Sequence, residues 1–410
     1  MADGGLHKRV LLLGPTGIDK REAIVRLNAR LKKTLGHHFS YIDFENDFLK
    51  SKLNVKNWTT FLAQDIAQQA TTWKQGWNDL KRELGSENLI LGLHATYISG
   101  PLGLRCPIHI PSICEDFRPT LIISLIDDIF HMWTRTEERA AGQEIKGRPN
   151  FEQLPVARRA ELLLGDVILS HTGNSKARHI LCAAGNSLDA LINLIVFDAK
   201  VTYLSFPISA PREMEAKGNR SFIEIIDRAH QLAIGEMNSR RSRSFISPLA
   251  IDELPLVFKA ARVDEDTTEV EFDCENERWN LERLWGSREE PILESLKGIR
   301  RFPLAQIKNA AALIQTDVGW RDRRLVLQSE SLAIVCPKPP DDDRITRGVS
   351  EEISTAVPLG IPCNFWQNPE WDPQDFVGRR FPPPGSMGGG QTEAVVQRMS
   401  TLEDLIRAHP

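Results

Sequence analysis

The stretch Asp317–Ala356, DVGWRDRRLVLQSESLAIVCPKPPDDDRITRGVSEEISTA, holds the residues best suited to chemistry. Glu352 and Ala356 are four apart and share one face of a helix that the pattern opens at Gly348. Ala356 is small enough to let a ligand or a neighbouring strand approach. A carboxylate near the start of a helix is favoured by the helix dipole, which would keep Glu352 ionised and able to act as a nucleophile. The supporting strand is plain in the same stretch. Leu332–Cys336 is the short apolar run of a buried strand, and a polar loop follows it up to Gly348. Loops at the carboxyl ends of strands are where open α/β sheets bind ligands.

These residues resemble the nucleoside 2-deoxyribosyltransferase-like superfamily, which breaks or exchanges N-glycosidic bonds. The family pattern of a glycine, then a glutamate, then an alanine on one helix stands here as Gly348-Val349-Ser350-Glu351-Glu352-Ile353-Ser354-Thr355-Ala356. The family's aspartate eight residues before an acidic residue is matched by Asp322 and Glu330, and its first strand by Val201–Pro207. The resemblance covers about residues 200 to 372. It implies Glu352 as nucleophile, Asp322 orienting the base or handling its proton, and Tyr203 at the head of the first strand as a further catalytic residue. It also implies backbone amides at Gly348 and Val349 holding the sugar or phosphate. Thr346 stands six residues before Glu352, where the family often has Asp or Ser, and cannot accept a proton at neutral pH. Arg347 beside it favours a phosphate-bearing substrate. The expected substrate is therefore a nucleotide or NAD-like molecule, cleaved without a cofactor.

At the other end of the chain, Arg9–Leu13 is a strand candidate, followed by Gly14-Pro-Thr-Gly17-Ile-Asp-Lys20-Arg21 and then a helical pattern. Strand, glycine loop and helix form the setting of a phosphate-binding loop. Gly14 and Lys20 are in register with it, but Asp19 replaces its second glycine and Arg21 its magnesium-ligating hydroxyl. Need for magnesium is left undecided. Residues 8 to 172 resemble adenylate kinases in order and spacing. The resemblance rests on Asn88–Ala95 with His94 at its end, Ser99–Pro107, a strand over Leu121–Ile126, and Asp127-Asp128 opening a helix. It implies a nucleotide (ATP- or AMP-like) site using Gly14, Gly17 and Lys20, with Arg135 and Arg139 in a lid over phosphates and Ala157–Ala160 on its far side.

The expected fold class is α/β: a P-loop kinase-like parallel-sheet domain over 1–198, then a Rossmann-like (flavodoxin-like) deoxyribosyltransferase-type domain over 199–376. Residues 377–410 read as a Pro/Gly-rich linker and a solvated tail helix. Helical spacing predicts a helix from Ser221 to a C-cap at Gly235, and residues 259–301 read as an insertion with no assigned role. The 51 basic and 55 acidic residues give a net charge of −4, which carries no signal for nucleic-acid binding. Six cysteines without a CxxC pair point to reduced, buried thiols and a cytoplasmic protein. No apolar run is long enough to span a bilayer, and the spacing of Asp341, Asp342 and Asp343 does not match a metal site. A homo-oligomer or a complex with a protein partner stays open. The combined expectation is an N-glycosidase regulated by a nucleotide-binding domain, in the manner of a toxin or antiviral defence effector. The alternatives are an adenylate-type nucleoside-monophosphate kinase or a catalytically inactive nucleotide-binding scaffold.

Overall fold

Uninterrupted apolar runs become the central strands, because a parallel strand covered on both faces has no solvent side on which to place polar residues. Leu121–Ile126 and Ser331–Cys336 are buried at every position. The computed structural model describes residues 8–36, 38–50, 58–85, 88–99, 103–140, 149–208, 221–264, 266–277, 290–336, 347–367 and 396–408. It is an α/β protein with two five-stranded parallel sheets, one in each of two compact units.

Unit 1 comprises residues 1–184, 251–278 and 292–317. Its strands are β1 (Arg9–Leu13), β2 (Ser40–Asp43), β3 (Leu89–Leu93), β4 (Leu121–Ile126) and β5 (Arg178–Ala183), in the order β2-β3-β1-β4-β5. Helix α1 (Lys20–Leu35) follows β1, α2 (Ile129–Ala140) follows β4, and α3 (Gln153–His171) leads to β5. The core on one side of this sheet includes Leu11, Leu13, Phe44, Trp73, Trp77, Leu91 and Phe117.

The single break expected at 198/199 does not describe this division. Residues 185–198 fall in unit 2, and much of the 259–301 insertion returns to unit 1, where Glu269–Asp273 and Ile299–Pro303 pair antiparallel. The fastening is a buried ion cluster. Arg158 on α3 is 1% exposed and donates to Glu253 (2.7 and 3.1 Å), to Asp317 (Nε, 2.8 Å) and to the Asp127 carbonyl (3.0 Å). Arg159 also pairs with Asp317, and Glu253 accepts the Ile129 amide at 2.9 Å. The helix segment read as the far side of a phosphate lid is thus spent on carboxylates of this chain.

Unit 2 comprises 185–250, 279–291 and 318–410. Its strands are β6 (Lys200–Ser205), β7 (Arg243–Ile246), β8 (Ser331–Cys336), β9 (Cys363–Gln367) and β10 (Val396–Met399), in the order β7-β6-β8-β9-β10. Counted within the unit, that is 2-1-3-4-5. The strand order reverses between the first and third strands, and there a doubly wound sheet opens a crevice at its carboxyl edge. One face packs on α4 (Leu188–Phe197) and α5 (Ser221–Ser239), with Ala190, Leu204, Phe206, Ile226, Ala333 and Val335 buried together. Helix α5 runs past the expected C-cap Gly235 to Ser239, since Ala233, Ile234 and Met237 extend its buried stripe. Asp322 lies in the unit 2 part, from Val318 onward, of helix α6 (Leu304–Leu327), and α7 (Arg347–Ala356) carries Glu352.

The tail differs from expectation. Its linker lies outside the described residues, but Val396–Met399 pairs with β9 as the fifth strand, and helix α8 (Leu402–Arg407) buries Leu402, Leu405 and Ile406 in the core of unit 2. Arg243 donates to the Ile406 and Arg407 carbonyls, both at 3.3 Å, satisfying acceptors at the end of α8. Leu405→Ala should therefore cost about 3 kcal/mol in chemical denaturation, the typical penalty for emptying a buried leucine site. A solvated tail would show no change.

Candidate functional site

Alternation along β6 turns Tyr203 and Ser205 to the same face of the sheet, opposite Leu204. On that face lies α7, held by Val349, Ile353 and Ala356, all buried at helical spacing. Glu352, on the adjoining line of the helix, is 9% exposed. The Tyr203 hydroxyl donates to its Oε1 at 2.7 Å, and the Ser205 hydroxyl to its Oε2 at 2.5 Å. The strand thus holds both carboxyl oxygens across 149 and 147 residues of sequence. Ser205 ends β6, so the cluster stands at the carboxyl edge of a central strand.

The charge state of Glu352 differs from expectation. It lies in the second turn of α7, which begins at Arg347, beyond the first-turn reach of the dipole. Burial and the nearby Asp322 carboxylate raise its pKa to about 8, against the Ser205 and Tyr203 hydrogen bonds and Arg321. Glu352 is therefore mostly protonated at neutral pH. Asp322 accepts from Arg321 Nε at 2.9 Å, and this guanidinium is 2% exposed. Burial and then Glu352 push the Tyr203 hydroxyl well above the ordinary phenol range. Cys336, at the end of β8, is likewise pushed up to about 12, by burial and then by Glu352.

The structure thus gathers Glu352, Tyr203 and Asp322 into one electrostatic cluster. It adds Ser205, which sequence reasoning missed; the only available signal was its place two residues after Tyr203 in a strand. Gly348 and Val349 lie in the first turn of α7. Arg347 begins that helix, whereas Thr346 and Asp341–Asp343 lie outside the described residues.

In unit 1 the glycine loop closes on itself. Asp19 caps α1 by accepting the Glu22 amide at 3.0 Å, and the Ile18 amide donates to the Pro15 carbonyl at 3.2 Å. Gly17 has φ +94°, and a Cβ there would stand 2.5 Å from the Met132 carbonyl oxygen, so the loop lies directly on α2. Gly14 likewise leaves no room, with the Leu125 carbonyl 2.9 Å from an added Cβ. Lys20 is 5% exposed. Its ammonium approaches the Gly14 carbonyl (3.4 Å) and the His94 ring (3.0 and 3.1 Å). Since a carbonyl only accepts, His94 Nδ1, 2.5 Å from Gly14 O, carries the proton.

Two buried acids neighbour that ammonium. Glu45 accepts the His94 amide (2.6 Å) and the Tyr97 hydroxyl (3.0 Å), yet burial raises its pKa to about 7 against the pull of Lys20. Glu161 accepts from the amides of Ala95 and Thr96, and burial raises it too. Arg135 donates to Asp127 at 2.5 Å and to the Glu294 carbonyl at 2.9 Å. Arg139 lies in the last turn of α2.

Ser124, His179 and Asp166 form a relay in the same unit, with 2.8 Å from hydroxyl to imidazole and 2.7 Å from imidazole to carboxylate. Ser124 is fully buried in mid-strand, and a Cβ at Gly165 of α3 would stand 2.5 Å from the His179 ring. Ser124 and His179 are both buried, so the hydroxyl end of this relay is closed to solvent. Cys106 is exposed and the other five cysteines are buried, none of them in a disulfide. Among the described residues no acid, histidine and cysteine group could hold a metal, and no helix is long and apolar enough to cross a membrane. No protein-family model matches this chain, and no curated protein matches it.

Proposed function

We propose that unit 2 is an N-glycosidase that cleaves the base–sugar bond of a nucleotide or NAD-like substrate, with Glu352 as nucleophile. The observation that carries this reading is the hold of Tyr203 and Ser205 on the two oxygens of Glu352 at the carboxyl edge of β6. The 2-1-3-4-5 order, which doubly wound sheets of the flavodoxin kind share, supports it by putting the switch point beside that strand.

In the reaction, an oxygen of Glu352 bonds to the anomeric carbon while the carbon–nitrogen bond breaks and its electron pair leaves with the base. Water then cleaves the ester, its hydroxyl staying on the sugar and its proton leaving, as in retaining glycosidases. Asp322 would orient the base, and the Gly348 and Val349 amides would hold a phosphate. Unit 1 would bind a nucleotide and restrain the hydrolase, as a toxin or defence effector requires. Phosphoryl transfer is the weaker reading for unit 1. The Ile18 and Glu22 amides are spent within the loop, Lys20 sits among Glu45 and Glu161, and position 21 is an arginine.

The test is chromatography of NAD, ATP, dATP, AMP and dAMP incubated with the wild type and with Glu352→Gln. Free base or nicotinamide released by the wild type alone supports the proposal. Equal release by both proteins refutes it, and so does ATP-dependent phosphorylation of AMP that is lost in Lys20→Ala with no base release.

The pH dependence follows from the raised pKa of Glu352. A nucleophile must be ionised, so kcat/KM should rise about tenfold per pH unit below about 8 and level off above it. Asp322→Asn removes a charge that opposes ionisation and should move this limb to lower pH, whatever it costs in rate. A limb that stayed in place would mean that the profile reports another group.

A further inference from the structure

We infer that Ser205 is a positioning residue for Glu352, fixing the orientation of the carboxyl group and favouring its ionised form. The inference rests on the glycosidase reading only where it concerns rate. The hold on the carboxyl group is a property of the fold.

Strand β6 is paired with β7 as far as Tyr203 and with β8 as far as Ser205, so both side chains leave a hydrogen-bonded ladder. Tyr203 and Ser205 leave the same face two residues apart, and each hydroxyl takes a different oxygen of Glu352. One hydrogen bond would leave the carboxyl group free to pivot about the bonded oxygen, whereas two from one strand fix its plane. The two arms differ. The Tyr203 hydroxyl stands at the end of a long ring, while that of Ser205 is one carbon from the backbone and follows the strand end closely.

Among the described residues, the groups that act on Glu352 come from three elements around it. Tyr203 and Ser205 come from β6, Cys336 from β8, and Asp322 and Arg321 from α6. Arg321, the cation among them, is bonded to Asp322. Among the described residues, these two hydroxyls are the direct hydrogen-bond donors to Glu352. Ser205→Ala leaves Oε2 buried without that donor, and an unsatisfied buried acceptor is costly mainly when charged. The loss falls on the ionised form and on its aim, not on the binding of substrate.

The experiment follows the protonated-carboxyl infrared band of Glu352, assigned by its loss in Glu352→Gln, across pH in the wild type, Ser205→Ala, Ser205→Thr and Tyr203→Phe. The expected result is a midpoint raised by about one unit in Ser205→Ala, restored in Ser205→Thr and raised in Tyr203→Phe. With an active substrate, Ser205→Ala should lower kcat roughly tenfold with KM little changed, since one hydrogen bond to a charged group is worth about 1.5 kcal/mol or more. An unmoved midpoint in Ser205→Ala would overturn the inference, and so would a raised midpoint that Ser205→Thr does not lower. A shifted titration in a protein that releases no base from any nucleotide would uphold it while removing the glycosidase reading.

Discussion

Glu352→Gln should lower base release by at least about a thousandfold, while leaving the protein folded and more stable in alkali than the wild type. The catalytic half of this result follows from chemistry. The amide has nearly the shape of the carboxyl group, and its oxygen can still accept one hydroxyl from β6, but it has no lone pair basic enough to form the ester. Loss of a nucleophile removes the whole two-step path and not a fraction of it, so the effect is much larger than that of a positioning residue.

The stability half follows from linkage. The folded pKa of Glu352 lies near 8, above the ordinary carboxylate value. A folded pKa raised in this way contributes stability that is fully present below the unfolded value, near 4.5, and is lost as pH rises through about 8. Above pH 8 the wild type must keep a charge buried beside Asp322, and the amide need not. Thermal melts at pH 5 and pH 9 check this. The advantage of Glu352→Gln should appear at pH 9, at about 2 kcal/mol after allowance for relaxation and water entry, and shrink at pH 5. A variant less stable at both would mean that the lost rate reflects unfolding.

The second large effect belongs to unit 1. Arg158→Met should destabilise it by about 3–5 kcal/mol, the usual cost of removing one partner from a buried ion cluster. Glu253 and Asp317 would be left buried, each having lost its bonds to the guanidinium. Arg159 remains on Asp317, so Glu253 bears more of the penalty. Urea denaturation monitored by tryptophan fluorescence would show the shift, because Trp73 and Trp77 lie in the core of unit 1. Replacing Arg158, Glu253 and Asp317 together by apolar residues of similar volume should recover most of the loss, since no charge is then left unpaired. If Arg158→Met left the midpoint unchanged, the cluster would not be what fastens the returning segments to unit 1.

Several features are legible in the amino-acid chain itself. Arg9–Leu13, Leu121–Ile126 and the β8 strand read correctly because a strand buried on both faces needs a continuous apolar run, and that run is a local property. Glu352 and Ala356 could be placed on a helix from spacing alone, and the α/β class followed from strands alternating with helical patterns. The short strand Val396–Met399, with its polar Gln397 and Arg398, has no such run. Its place in the sheet comes from pairing with β9, and no window of sequence contains that partner.

Local sequence therefore specifies the continuous apolar strands and several of the helices, because periodicity and residue type act over a few neighbouring residues, while Glu352 stands out through the resemblance its motif carries. Four further matters depend on the folded chain. Folding puts Ser205 against a carboxyl group 147 residues away, returns Glu253 and Asp317 to Arg158, and turns Lys20 toward Glu45 and Glu161. It also sets the charge of Glu352, since a carboxylate's ionisation depends on the solvent it loses and the charges it meets, and both arrive only when distant segments close around it.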